Sequence, residues 1–161
     1  EKGLTCDEYW NLIKKYNIML LTFTKSEFED LIKDGIKKHT IRADKNNRWK
    51  VGNSIQFWLG NPRNVHAKNK PHQFGTGVCS ETRKIKIIHS PSYVTLLIDD
   101  EEIETLWVDD KSFRVYSTET DCPIFNQLST NDGFNSISEF LEWFNTDFEG
   151  KLIYWKDCTW S

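Results

Sequence analysis

Apolar positions recur along this chain at two spacings, and those spacings divide it into helices and strands. Thr5 and Glu8 stand three apart, as in a capping box, and Tyr9, Ile13 and Tyr16 continue on one helical face. They predict a helix over 6–16. The short apolar run 18–23 reads as a buried strand. Ser26 with Glu29 repeats the capping pattern, and Phe28, Leu31, Ile32 and Ile36 keep one face apolar. That predicts a helix over 27–34, ended by Gly35 in a left-handed turn. Ser136 with Glu139, followed by Ile137, Phe140, Leu141 and Phe144, predicts a helix over 136–145.

The remaining apolar positions alternate or form short runs. They predict strands over 54–60, 78–88, 92–99, 102–109, 112–118 and 151–155. Between them, 61–77 carries Pro62, Pro71, Gly75 and Gly77 and reads as a long loop. About seven strands and three helices result, with the strands grouped rather than alternating with helices. The class is therefore α+β, with a mostly antiparallel sheet expected to curl into a small barrel.

Composition agrees with one folded domain. The chain has 161 residues, 38% hydrophobic and 28% charged, with seven Trp and ten Phe to fill a core. The net charge of −3 lacks the broad basic excess of a protein that wraps long nucleic acid. Locally the balance reverses. Lys37, Lys38, Arg42, Lys45, Arg48 and Lys50 stand against the single acid Asp44, with Lys33 just upstream. Such a patch on an acidic body suffices for one or two phosphates. In an extended chain Lys37, His39 and Ile41 point one way and Lys38, Thr40 and Arg42 the other, unless a bend after Gly35 relaxes the alternation.

The cysteines at 6, 79, 122 and 158 form no CxxC pair, which points to reduced thiols and a cytoplasmic location. His66, His72, Cys79 and His89 fit no standard zinc spacing, so neither metal nor cofactor is expected. No apolar run is long enough for a membrane span, and no signal peptide is read. The first residue is Glu1 rather than Met, which leaves the native start open.

Two stretches carry a resemblance. "KKHTIRADKNNRWKVGNSIQF" is similar to the Lys, Thr-Ile-Arg, Trp and Val-Gly-Asp/Asn run of the ASCH domain family, and "NDGFNSISEFLEWF" to its acid-Gly-Phe followed by a helix. The similarity covers roughly residues 18–155, so 1–17 is read as a helical extension and 18–161 as an ASCH domain. The resemblance implies a barrel related to the PUA fold and a basic cleft facing RNA or a modified nucleotide or nucleoside. Its small amidohydrolases act on acylated cytidine with a Lys, a Thr and a carboxylate. The matching positions are Lys37, Thr40 and Asp132, the last an Asp where those members carry Glu.

That assignment has a chemical rationale. A threonine becomes a nucleophile only when a base takes its proton, and a lysine can do so if burial or other cations lower its pKa. Arg42 offers a planar fork for a phosphate or a carbonyl. Lys38 and Arg48 add charge, while Trp49 and Trp58 offer faces for base stacking, as in an aromatic cage of a relative of the fold. The plain alternatives are a strand threonine among solvated lysines, an Asp132 that favours the following helix N-terminus, and core tryptophans. Trp107, Trp143 and Trp155 are assigned to packing. Binding of RNA or a modified nucleoside is the first expectation, hydrolysis of an acylated nucleoside such as N4-acetylcytidine the alternative, and RNA cleavage a third.

Overall fold

The computed structural model describes residues 3–64, 66–109, 115 and 121–161. In chain order the elements are α1 (Cys6–Lys15), β1 (Met19–Phe23), α2 (Glu27–Lys33), β2 (His39–Arg42), β3 (Ser54–Leu59), β4 (His72–Ser90), β5 (Tyr93–Ile98), β6 (Glu101–Trp107), α3 (Pro123–Asn131), α4 (Ile137–Trp143) and β7 (Phe148–Trp160). The fold is α+β, and no helix among the described residues is long and apolar enough to cross a membrane.

The three helices expected from capping patterns are present, but only one has the full box. Thr5 and Glu8 cap α1 reciprocally. Ser136 accepts from the Glu139 amide, while the Glu139 carboxylate turns to the Asn135 amide and Lys25. Ser26 makes no capping bond, because its backbone is already helical (φ −61°, ψ −33°) rather than extended, and the Glu29 carboxylate goes to Lys33 and His72 at 2.9 and 2.8 Å. The helix α3 was not expected. Its N-cap residue is Cys122, whose side chain makes no capping bond; the amides of Ile124 and Phe125 are satisfied instead by the Glu104 carboxylate of β6 at 3.0 and 2.8 Å. With the cap supplied from 20 residues away, Pro123 at the first helical position is the one local start signal.

The hub of the sheet is β4. Its first half pairs with β3, its second half with β5, and β7 runs along its other edge. Bulges at Thr76/Val78 and Cys79/Glu81 let this single strand bend to serve both halves. Thus β4 begins inside the stretch read as a loop. Gly75 and Gly77, taken there as loop signals, are strand positions approached closely by other atoms: a Cβ on Gly75 would overlap the Trp160 ring. The last strand also runs further than 151–155, since 156–160 pairs with the early part of β4. The expected strand over 112–118 lies outside the described residues apart from Val115, which bridges to Val108.

All pairings are antiparallel except β1 with β3, which are joined by a crossover through α2 and β2. The sheet does not close into a barrel. Among the described residues β1 pairs only with β3, and β2 only with β7. The open seam between β1 and β2 is crossed by a side chain, Arg42, whose guanidinium donates to the Thr22 carbonyl at 2.5 Å. Phe57, Phe74, Phe125 and Phe140 are fully buried in the core. The first helix docks on β3, with Ile13 buried and the Tyr9 hydroxyl 2.6 Å from Gln56 Oε1.

Gly150 ties the sheet to the seam. A Cβ there would collide with the Arg42 carbonyl oxygen and meet the Phe148 ring at 2.8 Å. Gly150→Ala is expected to lower stability by about 1–3 kcal/mol through overpacking. Denaturant midpoints check this, and an unchanged midpoint would mean that β2 and β7 part freely at that point.

Candidate functional site

Beside the seam lies a cavity of about 190 Å³ lined by Thr22, Phe28, Lys37, Thr40, Arg42, Asp132 and Trp143, among others. Each polar wall has a local origin. The chain turns after α2, where Gly35 has φ 73°, and the Ile36 and Lys37 amides both bond back to the Leu31 carbonyl. This bend takes Lys37 out of the strand alternation and sets it on the same side as Thr40 and Arg42. Asp132 is not a helix N-cap. It is the C-terminal residue of α3, followed by Gly133 at φ 91°, which turns the chain so that the carboxylate faces β2. A negative charge at a helix C-terminus is unfavourable to the helix dipole, so local helix stability does not explain it.

What compensates Asp132 is a buried ion pair. Lys37 is only 1% exposed; its Nζ donates to Asp132 Oδ1 at 3.0 Å and to the Asp132 carbonyl at 2.5 Å. Burial pushes the Lys37 ammonium below the ordinary lysine value; Asp132 works against this, and Arg42 and Lys25 add to the push. The Phe28 ring faces Lys37 Nζ at 4.5 Å. Thr40 is buried on the cavity wall and its hydroxyl forms no hydrogen bond among the described residues, with Lys37 or any other group. Arg42 stacks over Phe23 at 5.0 Å and, among the described residues, its guanidinium bonds only the Thr22 carbonyl, which leaves most of its donors for the cavity.

The ion pair sets a pH dependence. Folded Lys37 releases its proton at a lower pH than an unfolded lysine. Between those two values the unfolded chain binds the extra proton, so stability rises with pH. Relative to a Lys37→Met/Asp132→Leu variant, the wild type is expected to gain stability as pH climbs toward ~10.4, with a slope of at most ~1.4 kcal/mol per pH unit. Parallel stability curves above pH ~8 would show that Lys37 keeps the ordinary lysine titration.

The other named candidates lie elsewhere. Lys38 and Arg48 are exposed and outside the cavity lining. Trp49 is buried in the core because Asp44 gathers the Arg48 and Trp49 amides at 2.8 and 3.0 Å and folds the loop inward. Trp58 sits on β3 with its indole N–H on Gln56, the acceptor that also holds Tyr9. Trp143, assigned to packing, is 53% exposed at the cavity mouth. Lys25 lies 5.4 Å over its ring and pairs with Glu139 at 3.2 Å. The sequence held no signal for Lys25, which comes to the mouth from the turn before α2. His39 was also passed over, yet its Nδ1 lies 3.1 Å from Asp132 Oδ1. His72 and His89 are engaged with Glu29 and the Phe144 carbonyl, and among the described residues no group of three or more His, Cys, Asp or Glu gathers as a metal site would need.

No family model, no curated protein and no solved structure matches this chain. The cavity's own chemistry therefore carries the functional argument.

Proposed function

We propose that the chain is an ASCH-type, PUA-like protein whose seam cavity binds a modified nucleoside, and that Lys37, Thr40 and Asp132 hydrolyse an acyl amide on it, as in N4-acetylcytidine. In this reading the sheet is a PUA-like barrel left open between β1 and β2. The supporting observation is a lysine buried beside a carboxylate at 3.0 Å, in one cavity with a threonine whose hydroxyl makes no hydrogen bond among the described residues. A lysine deprived of water has the lowered proton affinity that a base needs.

The reaction runs in two halves. Neutral Lys37 takes the Thr40 proton as Oγ1 attacks the acyl carbonyl. The carbon–nitrogen bond then breaks, the leaving amine takes the proton from the Lys37 ammonium, and Asp132 holds that ammonium in place. Water, deprotonated by Lys37, next attacks the Thr40 ester and frees the carboxylic acid and the hydroxyl. Among the described residues the edge of β2 that faces β1 has no strand partner, so amides along it are available to the oxyanion. Thr40 makes no hydrogen bond to Lys37, and in this mechanism substrate binding draws the two together.

Binding without turnover is the second reading. It is favoured by Lys38, Lys45, Arg48 and Lys50, all exposed on the segment that flanks the cavity, where phosphates of an RNA chain would meet them. Such binding weakens with added salt as counterions are released. Both readings share a test. Lys37→Ala/Arg42→Ala is expected to lose at least tenfold in affinity for N4-acetylcytidine by calorimetry, which corresponds to about 1.4 kcal/mol. Equal affinity in wild type and variant would leave the cavity without a ligand role.

A further inference from the structure

The polar groups that the Lys37 cavity leaves unused gather on the other face of β2. His39 is 1% exposed, and its Nδ1 approaches Asp132 Oδ1 at 3.1 Å. A carboxylate oxygen only accepts, so Nδ1 carries a proton toward Asp132, and in the neutral imidazole Nε2 then keeps a lone pair. Nε2 makes no hydrogen bond among the described residues, and no buried side-chain nitrogen or oxygen among them is both enclosed and unpaired. It therefore opens on a second cavity, of about 230 Å³, between α3 and the sheet.

That cavity has a distinct chemistry. Leu96 and Leu152 are among its apolar lining residues, and Gln127 and Asn131 of α3 line it as well. Tyr154 stands beside His39 with ring centroids 5.2 Å apart, and its hydroxyl makes no hydrogen bond among the described residues. Arg83 at the edge is already held by Glu81 and Asp99, at 2.8 and 3.1 Å. With that cation neutralised and Asp132 behind the imidazole, the cavity has little to attract an anion. His39 Nε2 opens on it as an acceptor beside apolar walls.

We propose that this second cavity is a binding site for a small neutral ligand with a flat apolar body and an N–H edge, which His39 Nε2 reads as acceptor. Nucleobases and primary carboxamides both have that chemistry. The proposal does not depend on hydrolysis in the first cavity.

The experiment uses the full chain with ¹³C-labelled histidine and follows the His39 ring resonance by NMR. Cytosine and benzamide are titrated in separate arms, with methyl benzoate as a flat probe of similar size that lacks an N–H. At least one of the two donors should shift the His39 signal and bind about tenfold or more tightly than methyl benzoate, the difference one hydrogen bond makes. The tighter arm names the source, base or carboxamide. His39→Phe should abolish the preference, whereas Arg42→Ala, on the other face of β2, should leave it intact. If methyl benzoate binds as well as the donors, or if none of the three shifts His39, the proposal is overturned; both results come from the unaltered protein.

Discussion

Thr40→Ala and Lys37→Ala should each lower turnover of N4-acetylcytidine by about 10²–10⁴-fold, the usual value of a positioned proton transfer. Thr40 lines the cavity and bears the only hydroxyl that the proposed chemistry uses as nucleophile, so its loss removes the covalent route. Among the described residues Lys37 is the one lysine on the cavity wall, and its lowered proton affinity suits the base of the proposed reaction. The two effects should not add, since both residues serve one step. Thr40→Ala should fold normally, because its hydroxyl makes no hydrogen bond among the described residues. Steady-state kinetics with the melting temperature as control checks this. Full activity in Thr40→Ala would remove the threonine from the mechanism.

The second large effect is on stability. Asp132→Ala would strand a buried ammonium and remove the His39 partner, and breaking a buried ion pair in this way costs about 3–5 kcal/mol. Lys37→Met/Asp132→Leu removes both charges and keeps the volume, and such exchanges are often neutral or stabilising. The double variant should therefore recover most of the stability lost by the single one and yet show no turnover. That contrast separates a pair kept for chemistry from a pair kept for folding. If the double variant is as unstable as Asp132→Ala, the pair is structural.

Much of this site was legible in sequence, for physical reasons that differ by residue. Lys37, Thr40 and Arg42 lie within six residues, and the glycine-terminated helix before them forces the bend that lets Lys37 join the others. Asp132 was legible as a residue but not in its setting. The helix it ends is capped from β6 and carries no Ser/Thr/Asp/Asn cap of its own, which left Pro123 as its only start signal. The grouped strands were legible because each alternates or is short and apolar. The seam was not, because sheet closure depends on strand partners far apart in sequence, and Arg42 bridges β1 and β2 where a ladder would run. Trp49 carries the composition of a stacking platform, but two amide bonds to Asp44 turn its ring into the core. His39 lay in plain view between Lys38 and Thr40; its partner is 93 residues away.

The most direct test is a product assay on the wild-type protein. Purified protein is incubated with N4-acetylcytidine and a panel of other acylated nucleosides, and cytidine and acetate are quantified by chromatography. The proposed hydrolysis predicts equimolar cytidine and acetate from N4-acetylcytidine, formed at a rate proportional to protein concentration, rising with pH as Lys37 loses its proton and absent in Thr40→Ala. A protein that leaves every member of the panel intact over hours would contradict it.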